Sequence, residues 1–280
     1  MRIGIIGCQS KHAEWFGALF NRENIAPGCR VEAICPVDEP ARLPYVLSLT
    51  DIPAVENDPA ALIARSDAVL VTTRLADTHP ALAGACIDAG RPVFVDKPFA
   101  PDAAAARALL ARAREKGVPL VAGSTFCFLP ELDALRAPLE RSSSVSFRYR
   151  ADPDSPFGGY RFYGSHLTDL CSLFFSGALA VSSKRAGDSV CSTVRYADRL
   201  VTLESGPRLD SPCIVYEQEG KLRVAAPDDA PCYRAGMQAF LAAVQSGRGM
   251  ENTDRLAASS GLLAAIVRSL ESGREEPVER

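Results

Sequence analysis

Lys97 is the residue whose type and place could do chemistry most directly. An apolar strand, Ala68 to Val71, is followed by a helix, a second strand from Pro92 to Val95, and then Asp96-Lys97-Pro98. Open α/β sheets bind their ligands at the C-terminal lips of parallel strands, and an ammonium there can stabilise a developing oxyanion. The chain has only five lysines against twenty-six arginines, so a lysine at this lip is less expected by chance. A second candidate region opens the chain, where Arg2 to Gly7 reads as a strand followed directly by a helix. A phosphate loop of the G-x-G-x-x-G type belongs there, its glycines serving a tight turn, close approach of backbone to pyrophosphate, and helix packing. The register reads Gly7-Cys8-Gln9-Ser10-Lys11-His12, so only the first glycine is in place. Gln9 brings a side chain where bare backbone is usual, and His12 brings an imidazole to the helix start. Gly7, Gln9, Ser10 and His12 are candidate cofactor-binding residues; the alternative is a strand-ending glycine in a protein that binds no nucleotide. Asp38, just past the second strand in Ile34-Cys35-Pro36-Val37-Asp38-Glu39, is a candidate ribose ligand or a solvated loop acid.

Composition narrows the classes. A chain of 280 residues can bury a sizeable core in two domains. Its net charge of −3, with basic residues scattered singly, leaves no footprint for a nucleic-acid backbone. No apolar run reaches the ~18 residues a membrane span needs, and the first residues lack a signal-peptide pattern. A cytoplasmic protein is expected. The nine cysteines include no C-x-x-C pair and read mostly as small buried hydrophobes. With three histidines and no H-x-x-x-H or Cys/His cluster, no metal site is expected.

Positioning these residues requires particular elements. Up to about residue 123, strand-like runs at 2–7, 31–35, 68–72, 92–95 and 119–122 alternate with helical segments at 13–21, 60–65, 79–89 and 102–116. That pitch predicts an α/β doubly wound parallel sheet. After residue 128 the pattern changes. A strand at 144–150, a helix at 160–175 and several short strands within 178–224 predict an α+β domain with a mainly antiparallel sheet. Two helices, 233–246 and 254–272, close the chain. The expected domains are 1–123, dinucleotide-binding, and 124–280, for substrate and oligomerisation, with the last helix able to pack back on the first.

In combination these features resemble the Gfo/Idh/MocA family of NAD(P)-dependent oxidoreductases. The segment Asp67-Ala68-Val69, His79, Gly90-Arg91-Pro92-Val93-Phe94-Val95 and Asp96-Lys97-Pro98 is similar to its D-x-V…H…G-x-x-V-x-x-E-K-P pattern. Gly158-Gly159 and Gly164-Ser165-His166-Leu167-Thr168-Asp169 are similar to its second-domain G-G…G-x-H-x-x-D. The resemblance implies a Rossmann domain, with Lys97 polarising the reacting oxygen and His166 as general acid/base. It places Thr72, Thr73, His79, Asp96, Lys97 and Pro98 on the cofactor side, although His79 could equally cap or pack the helix it begins. A cis Lys97-Pro98 bond is a further expectation. The cofactor is NAD or NADP; no arginine pair follows Cys35, which favours NAD, with Arg42 the residue that could turn inward.

The chain departs from the family at four places. The glycine loop is degraded, and Asp96 stands where Glu is usual. Phe162 stands one turn before His166, where members often have an acid, which leaves Asp169 at i+3 as the nearest carboxylate and Tyr163 at i−3 as a hydroxyl donor. Ser124-Thr125-Phe126-Cys127-Phe128-Leu129-Pro130 lacks the usual charged clamp. The implied function is hydride transfer to or from a secondary hydroxyl or carbonyl of a sugar, cyclitol or similar polar molecule. The alternatives are a non-catalytic relative that binds a small ligand or a partner subunit, and a redox-neutral enzyme. A homodimer is the expected assembly.

Overall fold

The computed structural model describes residues 1–209 and 212–279. By internal contacts the chain divides into two compact units: residues 1–100, 107–123 and 233–252, and residues 101–106, 124–232 and 253–280.

The first unit is built on a parallel sheet. In chain order its elements are β1 (Arg2–Ile6), α1 (Lys11–Asn21), β2 (Arg30–Cys35), α2 (Leu43–Thr50), β3 (Ala54–Val55), α3 (Pro59–Arg65), β4 (Ala68–Val71), α4 (His79–Asp88), β5 (Val93–Val95), α5 (Ala103–Lys116) and β6 (Leu120–Ala122). The strands lie in the order β3-β2-β1-β4-β5-β6, every pairing parallel. Strand order reverses between β1 and β4, so the residues that follow these two strands stand at the topological switch point. β4 and β5 are fully buried, as expected for central strands covered on both faces. Local chemistry sets the helix starts. Ser10 caps α1 by accepting from the His12 amide, and Asp58 caps α3, with Pro59 at its first position. The capping starts α1 two residues earlier than apolar spacing predicts, so His12 lies inside the helix.

The second unit carries α6 (Arg136–Arg141), β7 (Val145–Tyr149), α7 (Tyr160–Phe174), β8 (Ala180–Ala186), β9 (Ser189–Arg195), β10 (Leu200–Ser205), β11 (Cys213–Gln218) and β12 (Lys221–Ala225). After α8 (Cys232–Ser246), the chain ends in α9 (Asp254–Ser272) and β13 (Glu276–Pro277). The sheet order is β12-β11-β7-β10-β9-β8-β13. It is mostly antiparallel, but β7 and β10 pair in parallel, so the sheet is mixed. Strand burial alternates, as in β10, where Val201, Leu203 and Ser205 are buried and the residues between them are not, giving one covered face and one open face. α7 and α9 pack on each other and against this sheet.

The fold differs from the sequence analysis at two places, one local and one long-range in origin. α2 and β3 were not anticipated, because both are short and α2 starts on Leu43-Pro44 without a side-chain cap. The helix that joins the first unit is α8, placed by sequence in the second domain. Phe240 of α8 packs edge-on against Phe94 of β5 with centroids 6.1 Å apart, and the Met250 amide donates to Leu120 O at 3.1 Å. The last helix, α9, belongs to the second unit.

Candidate active site

The loop after β1 turns on Gly7, whose φ is +103°. A Cβ there would lie 2.7 Å from the Thr73 amide nitrogen, so both conformation and space require glycine. Thr72, directly after β4, spends its hydroxyl on Gly7 O at 3.0 Å. The Thr73 hydroxyl meets that of Thr78 at 2.7 Å. Both threonines are buried; Thr72 ties the two switch-point loops together, and Thr73 closes the loop after β4 on itself.

Asp38 reaches back to the same loop. Its Oδ1 accepts from the amides of Cys8 at 2.8 Å and Gln9 at 3.2 Å, while Oδ2 is buried without a hydrogen-bond partner. A buried carboxylate oxygen left over at the end of the second strand suits a ribose hydroxyl donor. The two foreign side chains of the loop are drawn aside. The Gln9 amide lies 3.5 Å from Glu39 Oε2, and the His12 ring turns to Asp96, Nδ1 to Oδ2 at 2.5 Å. The residues present therefore fit a dinucleotide despite the missing glycines. Arg42 pairs with the buried carboxylate of Glu14 instead of facing the ribose side as a free cation.

At the lip of β5, Lys97 is 1% exposed and the Lys97–Pro98 bond is cis. Asp96 is fully buried; its amide donates to Val71 O at 2.9 Å, and its Oδ1 accepts from the Lys97 amide at 2.8 Å. Burial pushes the Asp96 carboxyl up, but the His12 imidazole beside it and the neighbouring lysine pull harder, so it sits below the ordinary carboxylate range. His79 packs, as one of its two expected roles has it. Its ring lies between Pro98 O at 2.7 Å and Thr73 O at 2.8 Å, stapling the lip to the loop after β4. Burial drives this histidine's pKa down, against the pull of the carbonyls and of Asp96.

In the second unit, Gly158 and Gly159 take φ of +94° and +62° to turn the chain into α7. His166, 5% exposed on that helix, has its Nδ1 2.7 Å from the Ser124 hydroxyl. Phe126 lies against one side of the ring at 4.8 Å, and Tyr149 meets it edge-on at 5.2 Å. Asp169 Oδ2 accepts from the Ser124 amide at 2.6 Å, and its Oδ1 from the Ser259 hydroxyl of α9. Asp169 thus also holds Ser124, whose hydroxyl meets the His166 ring. Tyr163 packs edge-on against Phe162 at 4.8 Å and lies under the Arg150 guanidinium. It was Ser124 that sequence reasoning missed in this role. The available signal was its place at the lip of β6, the same kind of place that singled out Lys97. Among the described residues, no group of three or more His, Cys, Asp or Glu side chains is arranged to hold a metal ion.

An all-parallel six-stranded sheet with a glycine turn at its switch point and a buried lysine at a neighbouring lip defines a Rossmann-type dinucleotide-binding unit. Residues 1–124 match the model of an oxidoreductase family with an NAD-binding Rossmann fold, Gfo/Idh/MocA. Inositol 2-dehydrogenase 1 of Saccharopolyspora erythraea is 30% identical over 239 residues, covering 79% of this chain and 69% of that protein. Inositol 2-dehydrogenase 2 of the same organism is 34% identical over 123 residues, 43% of this chain, and there the chain spans only 35% of the relative's length. Scyllo-inositol dehydrogenase from Lactobacillus casei, solved with NAD(H) and scyllo-inositol, shares the fold with a TM-score of 0.80 at 14% identity over 99% of both chains. The chain belongs to the Gfo/Idh/MocA oxidoreductase family.

Proposed function

We propose that the protein is an NAD-dependent dehydrogenase or reductase acting on a secondary hydroxyl or carbonyl of a cyclitol, sugar or similar polyol. The observation that carries this reading is Lys97, buried at the lip of β5 with its backbone held by the Asp96 carboxylate. The inositol dehydrogenases among its relatives support the substrate class.

Gly7, Ser10, Asp38, Thr73 and the Asp96-Lys97-Pro98 lip hold the dinucleotide. NAD, when bound, supplies the acceptor or donor of hydride. Lys97 points a cation at the substrate oxygen and stabilises the negative charge that grows there, an effect worth the most where water is excluded. His166 takes the hydroxyl proton during oxidation and returns it during reduction, its ring held by Ser124 at Nδ1 so that Nε2 carries the transfer. Phe126, Phe128 and Tyr149 make the surroundings of α7 more apolar than a charged clamp would, and Arg255 lies over Phe128 as a buried cation. The acids Asp38 and Glu39, with Arg42 engaged by Glu14, support NAD over NADP.

A homodimer working in the cytoplasm completes the proposal. Its support is the open face of the second unit's sheet. There Val215 and the exposed Val224 and Leu222 adjoin small hydroxylated residues such as Ser146, Thr202 and Thr193. No helix among the described residues is long and apolar enough to cross a membrane.

The test is a thermal-shift titration with NAD, NADH, NADP and NADPH, followed by assay of myo- and scyllo-inositol and of aldoses for reduction of the favoured cofactor. A saturable rise with NAD and turnover on a cyclitol or sugar is the expected result. No shift with any nucleotide would overturn the reading in favour of a ligand-binding relative.

A further inference from the structure

We propose that His12 is a positioning residue for Lys97: through Asp96, it ties the first turn of the cofactor-loop helix to the backbone of the catalytic lip. For its activity readout the proposal rests on the dehydrogenase reading above.

The link is short and continuous. His12 Nδ1 lies 2.5 Å from Asp96 Oδ2, with side-chain exposures of 9% and 1%. The opposite oxygen of the same carboxylate, Oδ1, accepts the Lys97 amide at 2.8 Å. One buried carboxylate thus joins residue 12 to residue 97, and each of its oxygens has a partner. The ring cannot swing away easily. Phe16 lies against it at 5.5 Å and Tyr233 meets it edge-on at 4.9 Å, and Trp15 stacks on Tyr233 in turn at 5.6 Å. The main chain is anchored too, since Ser10 Oγ accepts the His12 amide at 3.2 Å.

This arrangement explains two departures from the family pattern as one. A histidine in place of the third loop glycine would crowd the helix start if its ring pointed at the sheet without a partner. An aspartate in place of the lip glutamate is one methylene short. The imidazole occupies the space and supplies the donor that the shorter carboxylate meets. Removing either member alone leaves a buried carboxylate or a buried ring nitrogen unpaired, the costly half of an asymmetric balance. Lys97 then loses the carboxylate geometry that fixes its own amide. Misplacing a catalytic group by about 1 Å can cost on the order of a hundredfold in rate.

Three variants separate positioning from packing. His12→Phe keeps an aromatic ring between Phe16 and Tyr233 but has no donor. His12→Asn places an amide nitrogen near the position of Nδ1. His12→Gly paired with Asp96→Glu restores the family's residues at both ends. Two readouts are taken: hydrogen exchange at the Lys97 amide in the protein without cofactor, and kcat and KM of the active enzyme. The expected result for His12→Phe is faster exchange at Lys97 and a fall in kcat of roughly tenfold to a hundredfold with KM for NAD little changed. His12→Asn and the paired variant recover most of both. If His12→Phe keeps wild-type exchange and kcat, or if His12→Asn behaves like His12→Phe, the positioning role is overturned. Should His12→Phe fail to fold, the paired variant compared with Asp96→Glu alone decides. Equal loss in both removes the coupling. The exchange arm needs no turnover, so a protein that protects Lys97 through His12 but oxidises nothing would overturn the dehydrogenase reading and leave this one standing.

Discussion

The two candidate catalytic side chains are held in opposite ways. Around Lys97 the support is ionic: a fully buried carboxylate stands between an imidazole and the lysine's own amide, and a second histidine staples the segment through carbonyls. Around His166 a hydroxyl and two rings contribute to the support. A serine hydroxyl meets the ring nitrogen, two aromatic rings flank it, and the Asp169 carboxylate grips the serine backbone. A buried carboxylate holds tightly while its oxygens are paired but costs much when one is orphaned, whereas a hydroxyl is forgiving and accepts or donates as the ring requires. The lip is therefore the rigid partner chemistry and α7 the adaptable one.

Removing the two end groups breaks both regions most severely. Lys97→Ala is expected to lower kcat by on the order of 10² to 10³, the usual loss on deleting a preorganised charge stabiliser. His166→Ala is expected to lower it by about 10² to 10⁴, the range for general acid/base groups. Steady-state kinetics at saturating NAD checks both, and near wild-type turnover in either variant would strike that residue from the mechanism.

Removing the supports sharpens the contrast. Asp96→Ala is expected to destabilise the protein by about 3 kcal/mol or more, since it orphans both His12 and the Lys97 amide. Ser124→Ala should cost about 1 kcal/mol, a single hydrogen bond. Urea unfolding measures both, and equal costs would contradict the distinction drawn here. For activity, Ser124→Ala is expected to reduce kcat by about tenfold with KM nearly constant, and Ser124→Thr to restore it. A Ser124→Thr variant as impaired as Ser124→Ala would show that the hydroxyl is not what orients His166.

Acid should loosen the lip side by way of its staple. Burial outweighs the carbonyls and Asp96 around His79, so its pKa lies below the 6.5 of a free histidine. Between the two values the unfolded chain binds the extra proton, so stability is fully present above pH ~6.5 and falls as pH drops through that window. Melting temperatures of wild type and His79→Gln across this range give the check; the variant should melt lower at neutral pH and show a shallower slope. The smallest effect concerns the cofactor. Glu14→Gln frees Arg42 and should improve NADP relative to NAD by about tenfold at most, the worth of one charge-assisted hydrogen bond. An unchanged ratio of kcat/KM values would mean that Arg42 cannot reach a 2′-phosphate.

Much of the fold was legible because it is written in local patterns. Helix α9 was anticipated at 254–272 and observed there, since a long apolar spacing runs until Gly273 stops it in the left-handed conformation. The alternation of buried strands and helices up to β6 likewise announced a parallel sheet. Lys97 and His166 were visible through the motifs around them. Their supports were not. His12 and Asp96 are 84 residues apart, and Ser124 and His166 are 42 apart. No periodicity carries such a pairing. For the same reason the parallel pairing of β7 with β10 and the return of α8 to the first unit escaped a reading that weighs neighbours along the chain.

The sequence by itself determined the class of the longer elements, the positions of the strand lips, and the residue types able to polarise an oxygen or move a proton. These depend on propensity, capping and spacing within a few turns of chain. Only the tertiary structure decided what each of those groups leans on. It turned His12 from an obstruction in a phosphate loop into the partner of Asp96, and it set the Ser124 hydroxyl against the His166 ring. Such choices are made by burial, because a polar atom removed from water must find its partner among whatever side chains the fold brings near it.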